Sequence, residues 1–171
     1  MRIERRVTLA ASPDEVWEVL VDPANWYKLM HGLTRFNSQG ASNGDDPERI
    51  EEGSRFHIRM HVGSADVGGL IEIAECNPCR EIAWTNITGI DQRGRWRLRE
   101  RGPNRTSVVY RMSYQAPGGL IGWVTDQISA PVVRNYVRHT LENLKRHIES
   151  TRAEQTGSKH AKPAKRQAAR A

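Results

Sequence analysis

From Ser54 to Val62 the chain alternates strictly, with Phe56, Ile58, Met60 and Val62 on one parity and His57, Arg59 and His61 on the other. A period of two marks a strand with one buried and one wet face. Similar segments follow at short intervals: VGGLIEIAE (67–75), REIAWTNI (80–87), RGRWRLRER (93–101) and RTSVVYRMSY (105–114). GSAD, NPC, TGID and GPN lie between them, all turn-forming combinations. In RWRLR, Trp96 and Leu98 oppose Arg95, Arg97 and Arg99, while Val108, Tyr110, Met112 and Tyr114 share a face of the last strand. Short connections predict consecutive antiparallel hairpins, a curved meander with one face toward water. LTRFNS (33–38) and IERRVTL (3–9) add two earlier strands.

The period changes at both ends of this run. Ser12-Pro13-Asp14-Glu15 reads as a helix start, with Ser12 as cap, Pro13 at the first helical position and Glu15 completing a capping box. Val16, Trp17, Val19 and Leu20 give that helix its apolar side, and Asp22-Pro23 breaks it. ANWYKLMHGL predicts a second short helix ending at Gly32. After Gly118-Gly119, one helical stripe runs Leu120, Ile121, Val124, Ile128, Val132 and Tyr136. A second runs Val133, Val137, Leu141, Leu144 and Ile148, about half a turn away. Pro131 lies between them, so a long C-terminal helix kinked near Pro131 is expected.

Three separated segments, ASPDEVWEVLVDPANW, CNPCREIAW and SVVYRMSYQAPGGLIG…LENLKRHIES, resemble the polyketide cyclase/dehydrase and lipid-transport family of the START-like (SRPBCC) superfamily. The resemblance covers residues 3–150. It implies an α+β helix-grip fold: a curved antiparallel sheet wrapped around a long C-terminal helix, with two short helices after the first strand and an apolar cavity between sheet and helix. Members include ligand carriers and aromatase/cyclases. The domain reading is therefore 1–150 as a helix-grip ligand-binding domain and 151–171 as a disordered basic tail.

Both cysteines lie in CNPC, as Cys76 and Cys79. The resemblance aligns this stretch with a hairpin turn into a strand, and Asn77-Pro78 is a turn dipeptide. A structural zinc site wants four ligands, usually a second pair at matching spacing. The chain has no further cysteine, and the alternation puts His57 and His61 on a wet strand face. A thioredoxin-like motif opens a helix, whereas this one opens a strand. The preferred reading is a turn, with redox-sensitive thiols and a metal site as the alternatives.

Charge changes the picture only at the end of the chain. The net charge is +6, yet residues 151–171 hold six Lys/Arg against one Glu, so the first 150 residues are nearly neutral. The excess sits in a stretch without apolar periodicity, expected to be a solubilising tail. Its sharper alternative is nonspecific, salt-sensitive attraction to nucleic acid or an anionic surface. Nucleic acid is otherwise not expected as a partner. No apolar run approaches the ~18 residues of a membrane span. The opening MRIERRVTLAASPDE lacks the roughly 7–15-residue apolar core of a secretory signal. The expected location is cytoplasmic.

A cavity protein uses apolar walls and a few orienting polar groups. The candidate ligand-binding residues are Phe56, Ile58, Met60, Trp84, Trp96, Leu98, Tyr110 and Met112 on the sheet, and Val124, Ile128, Val132 and Tyr136 on the helix. Trp26, Tyr27 and His31 are candidates for the cavity mouth. Catalytic candidates are thinner: His31 and Asp126 first, with Arg134 and His139 behind them. No catalytic triad, Walker loop or dinucleotide fingerprint appears, and no cofactor or metal is expected. The connection from Asn37 to Gly53 is long enough to be a lid. The reading is a binder of a hydrophobic small molecule: a lipid, isoprenoid or polyketide-like compound. A cyclase/dehydratase using the same cavity is the first alternative. A macromolecular interaction protein using the tail or the Arg-rich strand is the second.

Overall fold

The computed structural model of the protein describes residues 1–39, 49–114 and 130–160. In chain order these form β1 (Arg2–Leu9), α1 (Pro13–Val21), α2 (Pro23–Leu29), β2 (Leu33–Ser38), β3 (Arg55–Val62), β4 (Ala65–Asn77), β5 (Glu81–Asn86), β6 (Gln92–Glu100), β7 (Thr106–Tyr114) and α3 (Ala130–His160). All strand pairs are antiparallel, and the order across the sheet is β1-β7-β6-β5-β4-β3-β2. The meander predicted from the short turns is thus realised, closed at one edge by the N-terminal strand. Sheet and long helix make the expected α+β helix-grip arrangement.

Local chemistry explains the boundaries. The Ser12 hydroxyl accepts from the Glu15 amide at 3.2 Å, and the Glu15 carboxylate accepts from the Ser12 amide at 2.7 Å. This reciprocal box satisfies two donors that the first helical turn leaves orphaned. Asp22 ends α1 and caps α2 through the Ala24 amide at 2.9 Å. Helix α2 stops at Leu29, earlier than expected, and the chain turns through Gly32 at φ 74°. A Cβ there would run into the His61 carbonyl, so glycine is needed for both reasons. Register shifts between Leu33 and Arg35 and between Ile73 and Glu75 mark irregularities that help the sheet to bend.

Helix α3 buries Val133, Tyr136, Val137, Leu141, Leu144 and Ile148. The second predicted stripe is therefore its core face. It packs along β1 and α2. The Asn143 amide donates to the Leu29 carbonyl at 3.3 Å, and the buried Thr140 hydroxyl accepts from the His31 amide at 3.2 Å. Both bonds fix where the helix crosses α2. The helix also runs ten residues past Ser150, to His160. The tail expected to be disordered from Thr151 thus begins as a helical extension, because 151–160 contain no proline and continue from a well-docked helix. Pro131 lies at the start of the described part of α3. The expected kink, the first stripe's Val124 and Ile128, and Asp126 lie outside the described residues, as does most of the proposed lid loop.

Candidate ligand-binding site

The inner face of the sheet, toward α3, carries a continuous belt of rings. Phe56 on β3 stacks on Phe36 of β2 at 4.4 Å between centroids, and Phe36 stacks on Trp26 of α2 at 4.7 Å. Trp26 meets Trp84 of β5 edge-on at 5.2 Å. Trp84 leads to Tyr110 of β7 at 6.1 Å, which stacks on Trp96 of β6 at 4.2 Å and faces Tyr136 of α3 at 6.5 Å. Period-two alternation makes the belt possible. Trp96 and Tyr110 are register partners on adjacent strands, and Trp84 lies opposite Gly94, whose missing side chain leaves room for the indole. Trp84's indole thus occupies the space where any larger residue at 94 would sit.

Beside the belt lies a cavity of about 20 Å³. Its wall is Met60 and Val62 on β3, Val67 on β4, Ile90 just before β6, Gln92 at its start, Met112 and Tyr114 on β7, and Val133 and Tyr136 on α3. That volume admits a water molecule, whereas a drug-sized ligand needs about 300–1,000 Å³. Among the described residues this cavity is therefore far smaller than the open apolar chamber expected from sequence, and the rings of the belt pack beside it. The two methionines in the wall are the side chains best suited to repack around a guest.

Of the sequence candidates, Phe56, Ile58, Met60, Trp84, Trp96, Leu98, Tyr110, Met112 and Tyr136 are buried on this inner face. Val132 packs half-buried at its margin. Among the described candidates, only Met60, Met112 and Tyr136 touch the cavity. His31 is exposed, with its ring 4.8 Å from that of His139 and 6.4 Å from Tyr136. Partial desolvation and the neighbouring His139 hold its pKa below the usual histidine value. It sits behind Tyr136 and does not line the cavity. Trp26 is core, and the exposed Tyr27 uses its hydroxyl to accept from the Phe36 amide at 2.7 Å. On α3, Arg134 is exposed and His139 half-buried. Gln92 was not anticipated: it shares the parity of Gly94, Trp96 and Leu98, so extending the β6 alternation by one step finds it.

Two polar atoms stand out in this interior. Trp96 Nε1 and the Tyr110 hydroxyl are buried and have no hydrogen-bond partner among the described residues. Trp26 shows the usual arrangement, its Nε1 donating to the Leu20 carbonyl at 2.9 Å. Burial drives the Tyr110 pKa well above that of a free phenol, and the nearby Tyr136 hydroxyl adds to the effect. The two hydroxyls do not meet hydrogen-bond geometry; that of Tyr136 points instead toward Met30 Sδ at 3.8 Å.

The outer face of β6 is less free than alternation suggests. Arg95 bonds Glu75 at 2.6 Å and Glu81 at 2.8 Å, Arg97 bonds Glu81 at 3.0 Å, and Arg111 bonds Glu4 at 2.7 Å. Burial pushes the Glu81 pKa up, but the Arg97 hydrogen bond and the two guanidinium charges outweigh it and hold it below the usual carboxylate range. A depression of about 440 Å³ lies here, bordered by Arg93, Arg95, Arg111 and Glu75. It is larger than the inner cavity, but it is open and bordered by charged groups, so it gives an apolar molecule no enclosure.

CNPC is a turn. The Arg80 amide donates to the Asn77 carbonyl at 3.0 Å, with Pro78 second and Cys79 third at φ 56°. A positive φ at the third position is the type II pattern. The thiols have separate partners: Cys76 faces the Ile50 carbonyl at 3.5 Å and Cys79 donates to the Asp14 carboxylate at 3.0 Å. Burial, the bond to Asp14 and the charges of Asp14 and Glu18 push the Cys79 pKa to about 11. At pH 8 only about one thousandth of it is thiolate, against roughly a quarter for a free cysteine. Iodoacetamide labelling read by peptide mass spectrometry at pH 8 is expected to be at least about 100-fold slower at Cys79 than in a free cysteine peptide. Labelling at the free rate would refute the half-buried, carboxylate-bonded thiol.

The sequence and fold comparisons agree with this geometry. Residues 1–149 match the family model described as "Polyketide cyclase / dehydrase and lipid transport". The chain belongs to this family. Among curated proteins none matches significantly. The structure resembles TTHA0849 from Thermus thermophilus, with 14% identity and a TM-score of 0.71, over 88% of this chain and 99% of that one. It also resembles the Zhui aromatase/cyclase from Streptomyces sp. R1128, with 21% identity and a TM-score of 0.65, over 87% and 93%. At such identities the likeness of this polyketide cyclase/dehydrase and lipid-transport family member to both is one of fold. Among its described residues no helix is long and apolar enough to cross a membrane.

Proposed function

We propose that this protein binds a hydrophobic small molecule on the inner face of the sheet, against α3. The observation that carries this reading is the belt of rings from Phe56 to Tyr136, continuous with a cavity whose wall contains Met60 and Met112. Access requires these side chains to repack, and the driving force is burial of ligand surface at about 25 cal/mol per Å². The cyclase/dehydratase alternative draws no support from the described wall. Its titratable groups are tyrosines, and burial raises the pKa of Tyr114 and Tyr136, which keeps both protonated and makes them poor proton donors.

Native mass spectrometry of freshly purified protein is expected to show an adduct of apolar mass. Titration with the neutral fluorophore 1-aminoanthracene is expected to saturate at one site per chain. Protein that carries no adduct and gives a linear, unsaturable titration would end this proposal.

A further inference from the structure

Trp96 and Tyr110 are register partners with rings 4.2 Å apart, and each carries a buried polar atom that no described residue satisfies. Leaving such a group unpaired costs roughly 1–3 kcal/mol, and native structures tolerate it chiefly where water, ion or ligand completes it. Phenylalanine at both positions would stack as well, so ring packing alone does not explain the indole nitrogen and the phenol.

The chemistry of the pair is one-sided. An indole N–H donates only, and a phenol that stays protonated donates readily. The complement of two donors on neighbouring stacked rings is an acceptor with two lone pairs. A carboxylate does not suit them. Bringing its charge into this apolar interior is expensive without a cation, and Arg5, the β1 residue in register with Tyr110, is exposed. A neutral oxygen meets both donors at low desolvation cost.

We infer that Trp96 and Tyr110 form a donor pair for the carbonyl oxygen of a neutral apolar ligand. This rests on the binding reading above and deepens it, from any apolar molecule to one carrying a carbonyl. The pair orients the ligand, while the surrounding belt supplies contact area.

Fluorene and 9-fluorenone test this, because they share a flat tricyclic frame and differ by one carbonyl. Calorimetric titration of the full chain is expected to show fluorenone binding at least tenfold tighter, about 1.4 kcal/mol. Tyr110→Phe and Trp96→Phe should each reduce that ratio, and the double variant should bring it near one. The infrared carbonyl band of fluorenone bound to the unaltered protein should lie below its position in hexane, a readout that needs no variant to fold. Equal affinities, a preference that survives in the double variant, or an unshifted band would overturn the donor pair and leave apolar binding standing. If neither compound binds, the binding proposal falls and the donor pair with it.

Discussion

Gly94→Ala is expected to cost about 2–4 kcal/mol of stability, far more than a typical glycine-to-alanine change in a strand. An added Cβ would fall among the ring carbons Cζ2, Cε2 and Cη2 of Trp84. That indole has nowhere to go: it is 2% exposed and held between Trp26 and Tyr110. The backbone offers no relief, since Trp84 and Gly94 are direct partners between β5 and β6. Urea unfolding measures the loss. A Trp84→Leu background removes the obstructing ring, so there the same change should cost less than about 1 kcal/mol. Equal costs in both backgrounds would show that the indole is not the obstacle.

Trp26→Ala is expected to be the most damaging single truncation in the belt, about 3–5 kcal/mol, because it empties the junction between Phe36 and Trp84. Trp26→Phe isolates a second component. The Leu20 carbonyl lies in the last turn of α1, where helical carbonyls have no intrahelical donor, and Trp26 Nε1 supplies one. Losing it should cost about 1–3 kcal/mol. Tyr110→Phe removes a hydroxyl with no described partner, so in ligand-free protein it should be neutral or stabilising. Thermal melts therefore order the four proteins: Trp26→Ala lowest, then Trp26→Phe, then the unaltered chain, with Tyr110→Phe level or above. A Tyr110→Phe protein as unstable as Trp26→Phe would mean that the hydroxyl is already satisfied.

The strand faces were legible because period two survives in any sheet with one dry side. Phe56, Ile58, Met60 and Val62 went where alternation put them. So did Val133, Val137, Leu141, Leu144 and Ile148 under the rule for helices. The site was legible only in composition. Sequence places Trp84, Trp96 and Tyr110 on inner faces, but how much space their rings fill depends on register and on the room above Gly94, which are set by strand pairing. Gln92 was lost because β6 begins one residue before its first arginine. The pairing of Arg95 and Arg97 with Glu81 joins neighbouring strands, and period alone cannot show it. The helical run to His160 was missed because charge composition describes a tail well and a helix extension poorly.

The position of β1 has a consequence for how the chain is made. Among the described residues its one partner in the sheet is β7, and Leu9 pairs with Thr106 while Arg2 pairs with Ser113. During synthesis β1 waits unpaired until β7 has left the ribosome, although domains otherwise begin to fold from the front. Arg2, Glu4, Arg5 and Arg6 crowd charge onto that waiting segment, a guard against premature pairing between nascent chains.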